Sequence, residues 1–194
     1  MKESYLFLAD GFEEVEALTP VDVLRRAGIE VKTVSITSSR QVTGAHGVIV
    51  TTDLVYDPVL FTSAEWLILP GGMPGASNLY EFAPLQGLLR SHKEAGGHIA
   101  AICAAPAVVL GQLGLLEGEK ATCYPGFENL CKGAEMVDSP VVVSHNLVLG
   151  NGPANALVWA LTIVKESLGE QVADNVATAM LRYTNSNDPD FSFG

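Results

Sequence analysis

The sequence predicts an α/β fold built on a doubly wound, mostly parallel sheet flanked by helices. Three observations predict it. Runs such as YLFLA (5–9), WLIL (66–69) and IAAI (99–102) are continuously apolar, as strands buried on both faces must be. Segments of helix length, with apolar residues at helical spacing, lie between them. Gly or Pro closes most of these pieces, at Asp10-Gly11, Gly28, Pro70-Gly71-Gly72 and Gly96-Gly97. A sheet of this kind binds ligands beyond the carboxyl ends of its strands, near the point where strand order reverses.

The elements follow in order. Residues 5–9 form the first strand. Over 13–27 the apolar positions Val15, Leu18, Val21, Val23 and Leu24 give one helical face. Pro20 should kink that helix or restart it, and Gly28 stops it. Residues 30–36 read as a second strand, and the run 48–52 pairs with 41–43 as a hairpin. The strand 66–69 ends at Pro70-Gly71-Gly72, a helix runs over 85–95, and the strand 99–102 leads into Cys103. Pro106 suits the first turn of a helix over 106–113. Strands follow at 120–123, 141–144 and 147–149, the last two turning at His145-Asn146. Helices over 154–168 and 170–181 are separated by Gly169, leaving a polar tail at 183–194. Residues 1–182 therefore read as a single domain.

Composition narrows the function classes. Of 194 residues 48% are hydrophobic, enough for a sizeable core. Twenty-two acidic against 11 basic side chains leave a net charge of −11, which argues against phosphate backbones and anionic membranes as partners. Three cysteines, Cys103, Cys123 and Cys131, do not suggest a secreted disulfide scaffold. With no signal-peptide pattern and no apolar run of spanning length, the expectation is a soluble cytoplasmic protein with free thiols.

Three strand ends carry chemistry-bearing residues. At Ala101-Ile102-Cys103-Ala104-Ala105-Pro106, small residues flank Cys103 as a nucleophile elbow requires. The helix that follows would aim its N-terminal amides at the sulfur and lower the thiol pKa. Gly71-Gly72 leaves backbone amides open to a developing oxyanion, with an ordinary turn as the plainer reading. Glu13 and Glu14 read as a solvated first turn, whereas Glu16 can turn inward towards Cys103 and move a proton.

These motifs, with Gly11-Phe12-Glu13-Glu14-Val15-Glu16, 20–28 (PVDVLRRAG), Asn78-Leu79 and Gly152-Pro153, resemble the DJ-1/ThiJ/PfpI family, closest to its small DJ-1/ThiJ branch. The resemblance covers the chain from Leu6 to about Arg182. It implies a flavodoxin-like sandwich and a homodimer, with Val23 and Leu24 of the first helix as interface positions. It places Cys103 as the reactive cysteine, Glu16 as a glutamate held protonated against its thiolate, and the amides of Gly71 and Gly72, with Ala104 beside them, around the oxyanion. Asn78, Cys123, Tyr124, Pro125, Gly152, Pro153 and His46 would line the pocket. The implied activities are glyoxalase- or deglycase-like action on ketoaldehydes such as methylglyoxal or on their glycated adducts, or non-catalytic redox sensing and chaperone-like behaviour under oxidative stress. In the PfpI branch the implied activity is peptide hydrolysis.

Two positions depart from the pattern. Tyr124 stands where many members have His, which removes the neutral-pH base of a Cys-His peptidase dyad. His46 stands where the close branch often has Arg, which weakens anion recognition there. His92 reads as solvated, His98 as structural and His145 as a hairpin tip. No histidine pair has metal-ligand spacing, and no cofactor or metal is expected. Cys123 either packs in the core or flanks the pocket as a second oxidisable thiol, and Cys131 reads as a core thiol.

Overall fold

The computed structural model describes residues 2–182; the tail expected over 183–194 lies outside them. The chain runs β1 (Ser4–Leu8), α1 (Glu14–Arg26), β2 (Val31–Ser35), β3 (Gln41–Thr43), β4 (Ile49–Thr51) and β5 (Leu54–Val55). A 3₁₀ turn (Pro58–Phe61) leads to β6 (Trp66–Leu69), α2 (Gly75–Glu81), α3 (Ala83–Glu94) and β7 (His98–Ile102). A π-helical stretch (Pro106–Gly111) precedes β8 (Lys120–Ala121), β9 (Glu135–Met136), β10 (Val141–Ser144) and β11 (Leu147–Gly150). The described residues end with α4 (Ala156–Leu168) and α5 (Glu170–Ala179).

Seven strands form the central sheet in the order β10-β11-β7-β6-β1-β2-β5. All neighbours are parallel except β10 and β11, which pair antiparallel through the His145-Asn146 turn. The runs are continuously apolar because the sheet is covered on both faces. Leu6, Leu8, Trp66, Ile68, Ala100, Ile102 and Val148 point to the side of α1, α4 and α5. Their alternates Tyr5, Phe7, Leu67, Leu69, Ile99, Ala101 and Leu149 face α3 and the π-helical stretch. Strand order reverses between β1 and β6, so the loops after β1, β6 and β7 open side by side.

Helix α1 differs from its expected face. Glu16, Ala17, Pro20, Val23 and Leu24 are buried, while Val15 and Leu18 are 50% and 41% exposed. The buried stripe steps i, i+1, i+4, i+7, i+8 from Glu16, and the helix runs unbroken through Pro20. Val23 and Leu24 are therefore packed in the core with residues of α4 and are not surface positions for an interface. The sequence reading also missed α2, whose start is disguised by Pro74-Gly75. A Cβ on Gly75 would lie 2.6 Å from the Phe12 amide nitrogen, so only glycine lets α2 approach the β1 loop.

Glu119 ties three elements together. It accepts hydrogen bonds from Lys93 Nζ of α3 and Ser144 Oγ of β10, each at 2.7 Å, and meets His145 Nδ1 at 2.7 Å. Burial pushes its pKa up, but these partners outweigh burial and hold it at about 2. A depressed carboxylate contributes stability above its unfolded pKa and loses it as pH falls through the folded one. Glu119→Gln is accordingly expected to cost about 2–3 kcal/mol near neutral pH and to flatten acid unfolding between roughly pH 4.5 and 2. Denaturant melts across that range check it; parallel curves for wild type and variant would contradict it.

Candidate active site

The site is assembled from three loops. After β7 the chain turns at Cys103, which adopts φ 64°, a left-handed conformation rarely taken by a residue with a side chain. The strain costs about 1–3 kcal/mol and is held by two backbone bonds. The Cys103 amide donates to the Gly150 carbonyl of β11 at 2.9 Å, and the Cys103 carbonyl accepts from the Tyr124 amide at 2.8 Å. Cys103 is buried, 8% exposed.

After β6, Gly71 and Gly72 take different tasks. The Gly71 amide donates to Glu16 Oε2 at 2.8 Å and so is not free to meet an oxyanion, contrary to the expectation for it. A Cβ at Gly71 would lie 2.7 Å from both Cys103 Cβ and Glu16 Oε2; its absence is what lets thiol and carboxyl meet. The Gly72 and Ala104 amides instead act on the Cys103 sulfur, pulling its pKa down. These two N–H groups are the pair available to stabilise negative charge there.

Behind the β1 loop, Glu16 is wholly buried at the first turn of α1. Glu13 caps the helix, its Oε2 accepting from the Glu16 amide at 2.7 Å. Glu16 Oε1 is buried with no hydrogen-bond partner, and the carboxyl lies beside Cys103, the two flanking the space a Gly71 Cβ would fill. Burial pushes the Glu16 pKa up to about 7, helped by the charge of Glu13. Burial, then the charge of Glu16 and its hydrogen bond, push the Cys103 thiol up to about 12, against the pull of the Ala104 and Gly72 amides. The thiol pKa is thus raised rather than lowered as the elbow suggested, because desolvation and an adjoining carboxylate outweigh two amide dipoles. The pair shares a proton, and ionising either member raises the cost of ionising the other.

The remaining expected residues distribute around this centre. Tyr124 is 45% exposed, its ring edge 3.7 Å from where a Gly152 Cβ would stand, and Pro153 opens the next turn. Pro125 is exposed beside Tyr124, and Cys123, just before it, is buried. Asn78 serves the backbone, its Nδ2 donating to the Asp10 carbonyl at 2.8 Å. His46 lies on the β3–β4 hairpin, bound to Glu14 Oε2 through Nδ1 at 2.7 Å. Glu14 is buried rather than solvated; burial pushes it up, but hydrogen bonds from His46 and Val48 hold its pKa below the ordinary value. Glu13, Glu14 and His46 bring donor atoms within 4.8 Å of one another, a cluster invisible to local spacing, and both Glu14 oxygens already accept protein N–H groups.

The other histidines are remote. His98 opens β7 at the end opposite Cys103, about 16 Å away along the strand, and stacks on Trp66. His145 occupies the matching turn at that far end of β11. His92 is not solvated as expected: its Nε2 lies 3.1 Å from the His98 carbonyl oxygen, and burial lowers its pKa. Among the described residues no helix is long and apolar enough to cross a membrane.

Protein DJ-1 homolog B of Arabidopsis thaliana is 35% identical over 188 residues, which are 96% of this chain; the chain spans 43% of that longer relative. A Pyrococcus horikoshii protein named as a deglycase is 37% identical over 164 residues, covering 82% of this chain and 96% of its own. The structure of oxidised Toxoplasma gondii DJ-1 superposes with a TM-score of 0.90 at 36% identity, over 95% of this chain and 100% of that one. The model of the DJ-1/PfpI family matches residues 2–166, and the chain belongs to that family.

Proposed function

We propose that this protein converts ketoaldehydes such as methylglyoxal, or the adducts they form on thiols and amines, into hydroxy acids, using Cys103 as nucleophile. The observation that carries the reading is the approach of the wholly buried Glu16 carboxyl to Cys103 on either side of the side-chain-free Gly71, with Cys103 held in a left-handed turn. The deglycase name of the 37% identical relative supports the substrate class.

Glu16 takes the thiol proton as sulfur bonds to the aldehyde carbon, and the carbonyl oxygen becomes an oxyanion met by the Gly72 and Ala104 amides. Glu16 returns that proton to the oxyanion and, ionised again, moves a proton from the former aldehyde carbon to the ketone carbon as the hydroxyl proton passes to the ketone oxygen. The C–S unit becomes a thioester, whose hydrolysis by one water releases lactate and restores the thiol. Substrate and water balance product, with no external oxidant or reductant. Peptide hydrolysis is not proposed, since His98 and His145 stand at the far end of the sheet and Tyr124 supplies no neutral-pH base.

The test is lactate release from methylglyoxal and from methylglyoxal-treated N-acetylcysteine, against protein-free controls; equal release with and without protein sinks the reading. Because Glu16 must be ionised to accept the proton, the rate is expected to rise with pH through about 7. In Glu16→Gln that limb should vanish and the rate fall by about 10²–10⁴-fold. The variant's thiol should titrate at least about one unit lower, since the neighbouring negative charge is gone. A thiol titration superposing on wild type would refute the shared proton.

A second reading, oxidation sensing at Cys103, is favoured by the oxidised state of the Toxoplasma relative. It predicts that mild peroxide adds two oxygens to Cys103 before Cys123 or Cys131, as intact mass and peptide mapping would show. For assembly we propose a homodimer in the cytoplasm. Exposed Val15 and Leu18 on α1, with Val48 beside Glu14, replace Val23 and Leu24 as its interface positions. Sedimentation of a 20.5 kDa species at micromolar concentration would contradict the dimer.

A further inference from the structure

The residue that caps α1 is an unusual choice for a cap. Glu13 holds the N-cap position with φ −83° and ψ 125°, and its Oε2 accepts from the Glu16 amide at 2.7 Å. Ser, Thr, Asp and Asn are preferred there, because a short side chain reaches that amide with fewer rotamers to freeze. The backbone of Glu13 is committed as well, its amide donating to the Gly71 carbonyl at 3.0 Å. The Gly71 amide in turn donates to Glu16 Oε2 at 2.8 Å. Three hydrogen bonds thus close a ring: Glu13 to Gly71, Gly71 to Glu16 and Glu16 to Glu13.

The ring joins the β1 and β6 loops at the carboxyl that lies beside Cys103. A Cβ on Gly71 would stand 2.7 Å from both Glu16 Oε2 and Cys103 Cβ, so the ring closes at the point where carboxyl and cysteine approach. Glu16 cannot swing without breaking its bond to Gly71, and the first turn of α1 cannot rotate without breaking its bond to Glu13. A proton carrier needs such a constraint, because a displacement of about 1 Å can cost about 10²-fold in rate. The ring also fixes a negative charge near a wholly buried carboxyl, and that charge adds to burial in raising the Glu16 pKa. Among the described residues the titratable groups around Glu16 are Cys103 and Glu13. Glu14 and, on the β3–β4 hairpin, His46 surround Glu13, with donor atoms of the three within 4.8 Å of one another.

We propose that Glu13 is a positioning residue for the reaction, holding the Glu16 carboxyl against Cys103 through the ring it closes with Gly71. The inference rests on the reading of Glu16 as the proton carrier and names what orients and tunes it. Glu13 acts through Glu16 and exchanges no proton itself. Its charge, held in place by the same ring, delays the ionisation of Glu16, so that near neutral pH the carboxyl exists in both the form that accepts the thiol proton and the form that returns it. A serine cap would supply the orientation without the charge. A glutamate supplies both.

The experiment follows wild type, Glu13→Gln, Glu13→Asp and Glu13→Ala across pH by two readouts: iodoacetamide alkylation of Cys103, resolved from the other cysteines by peptide mapping, and lactate release from methylglyoxal. Glutamine keeps an acceptor for the Glu16 amide and removes the charge. Removing a nearby negative charge lowers a carboxyl pKa, so the alkylation limb, which reports the first ionisation of the Cys103–Glu16 pair, should move down by about 0.5–1 pH unit. Aspartate keeps cap and charge and should keep the wild-type limb; a limb shifted as in Glu13→Gln would count against the proposal. Alanine loses both, and its kcat should fall about tenfold or more below that of Glu13→Gln. A residue that only stabilises the helix would lower the melting temperature in Glu13→Ala and leave the limb of Glu13→Gln at its wild-type position, and that outcome overturns the proposal. Equal kcat in the alanine and glutamine variants does the same. If Glu13→Ala does not fold, the limb of Glu13→Gln decides. His46→Gln should retain the limb, and its loss there would assign the titration to His46 and likewise overturn the proposal. Absence of lactate from wild type would remove the ketoaldehyde reading, whereas the alkylation profiles test Glu13 whatever the substrate.

Discussion

Replacing Cys103 by serine is expected to lower lactate formation from methylglyoxal by about 10⁴-fold or more, to the protein-free rate. The hydroxyl is nearly the size of the thiol, so the turn, its bond to Gly150 and the bond from Tyr124 should all remain. What is lost is the nucleophile. Even with Glu16 alongside, a serine oxygen gives up its proton far less readily than sulfur, and a carboxyl near pH 7 is too weak a base to take it. Thermal melts within a few degrees of wild type would show that the loss is chemical. Retention of more than a tenth of the activity would move the reaction away from this residue.

Replacing Gly72 by alanine should be nearly as damaging, for a different reason. Gly72 sits at φ +88°, and a Cβ built there would lie 2.4 Å from the Glu13 amide nitrogen and 2.6 Å from the Gly11 carbonyl oxygen. Both are backbone atoms and cannot rotate aside. The left-handed conformation costs alanine roughly 1–2 kcal/mol, and forced separation of the β1 and β6 loops adds about 1–3 kcal/mol. Any relief turns the Gly72 amide away from the sulfur, with an expected fall of about 10²–10³-fold in kcat. Denaturant unfolding and steady-state kinetics measure the two effects separately. Wild-type values in both would mean that the loop tolerates a side chain and that its amide carries none of the oxyanion charge.

Much of the fold was legible because both sheet faces are covered, so strands announce themselves as unbroken apolar runs. The strand 66–69 was located to the residue, and the hairpin at His145-Asn146 and the break at Gly169 were also found. The misses have physical causes. In α1 the face was assigned by hydrophobicity alone, yet stepping back seven residues from Val23 and Leu24 reaches Glu16 and Ala17, which marks the buried stripe without using polarity. Helix α2 was hidden because its tight approach to the β1 loop demands a glycine, a residue that otherwise signals a break. At the site, residue identities were readable and the assignment of amides was not. Which N–H meets Glu16 and which meets the sulfur depends on the turn after β6, not on the letters Gly71-Gly72. Burial of the thiol, which reversed the expected direction of its pKa, likewise exists only after the three loops meet.

The bonds that hold the elbow impose an order on synthesis. The acceptor of the Cys103 amide is Gly150, and the donor to its carbonyl is Tyr124, both later in the chain. A nascent polypeptide that has extended only through β7 can form the thiol's strand but not the strained turn that aims it. Until β11 emerges and docks, the Cys103 amide has no Gly150 carbonyl to bond. The turn that aims the proposed nucleophile is therefore completed late, when β1, β6 and β7 are already in place.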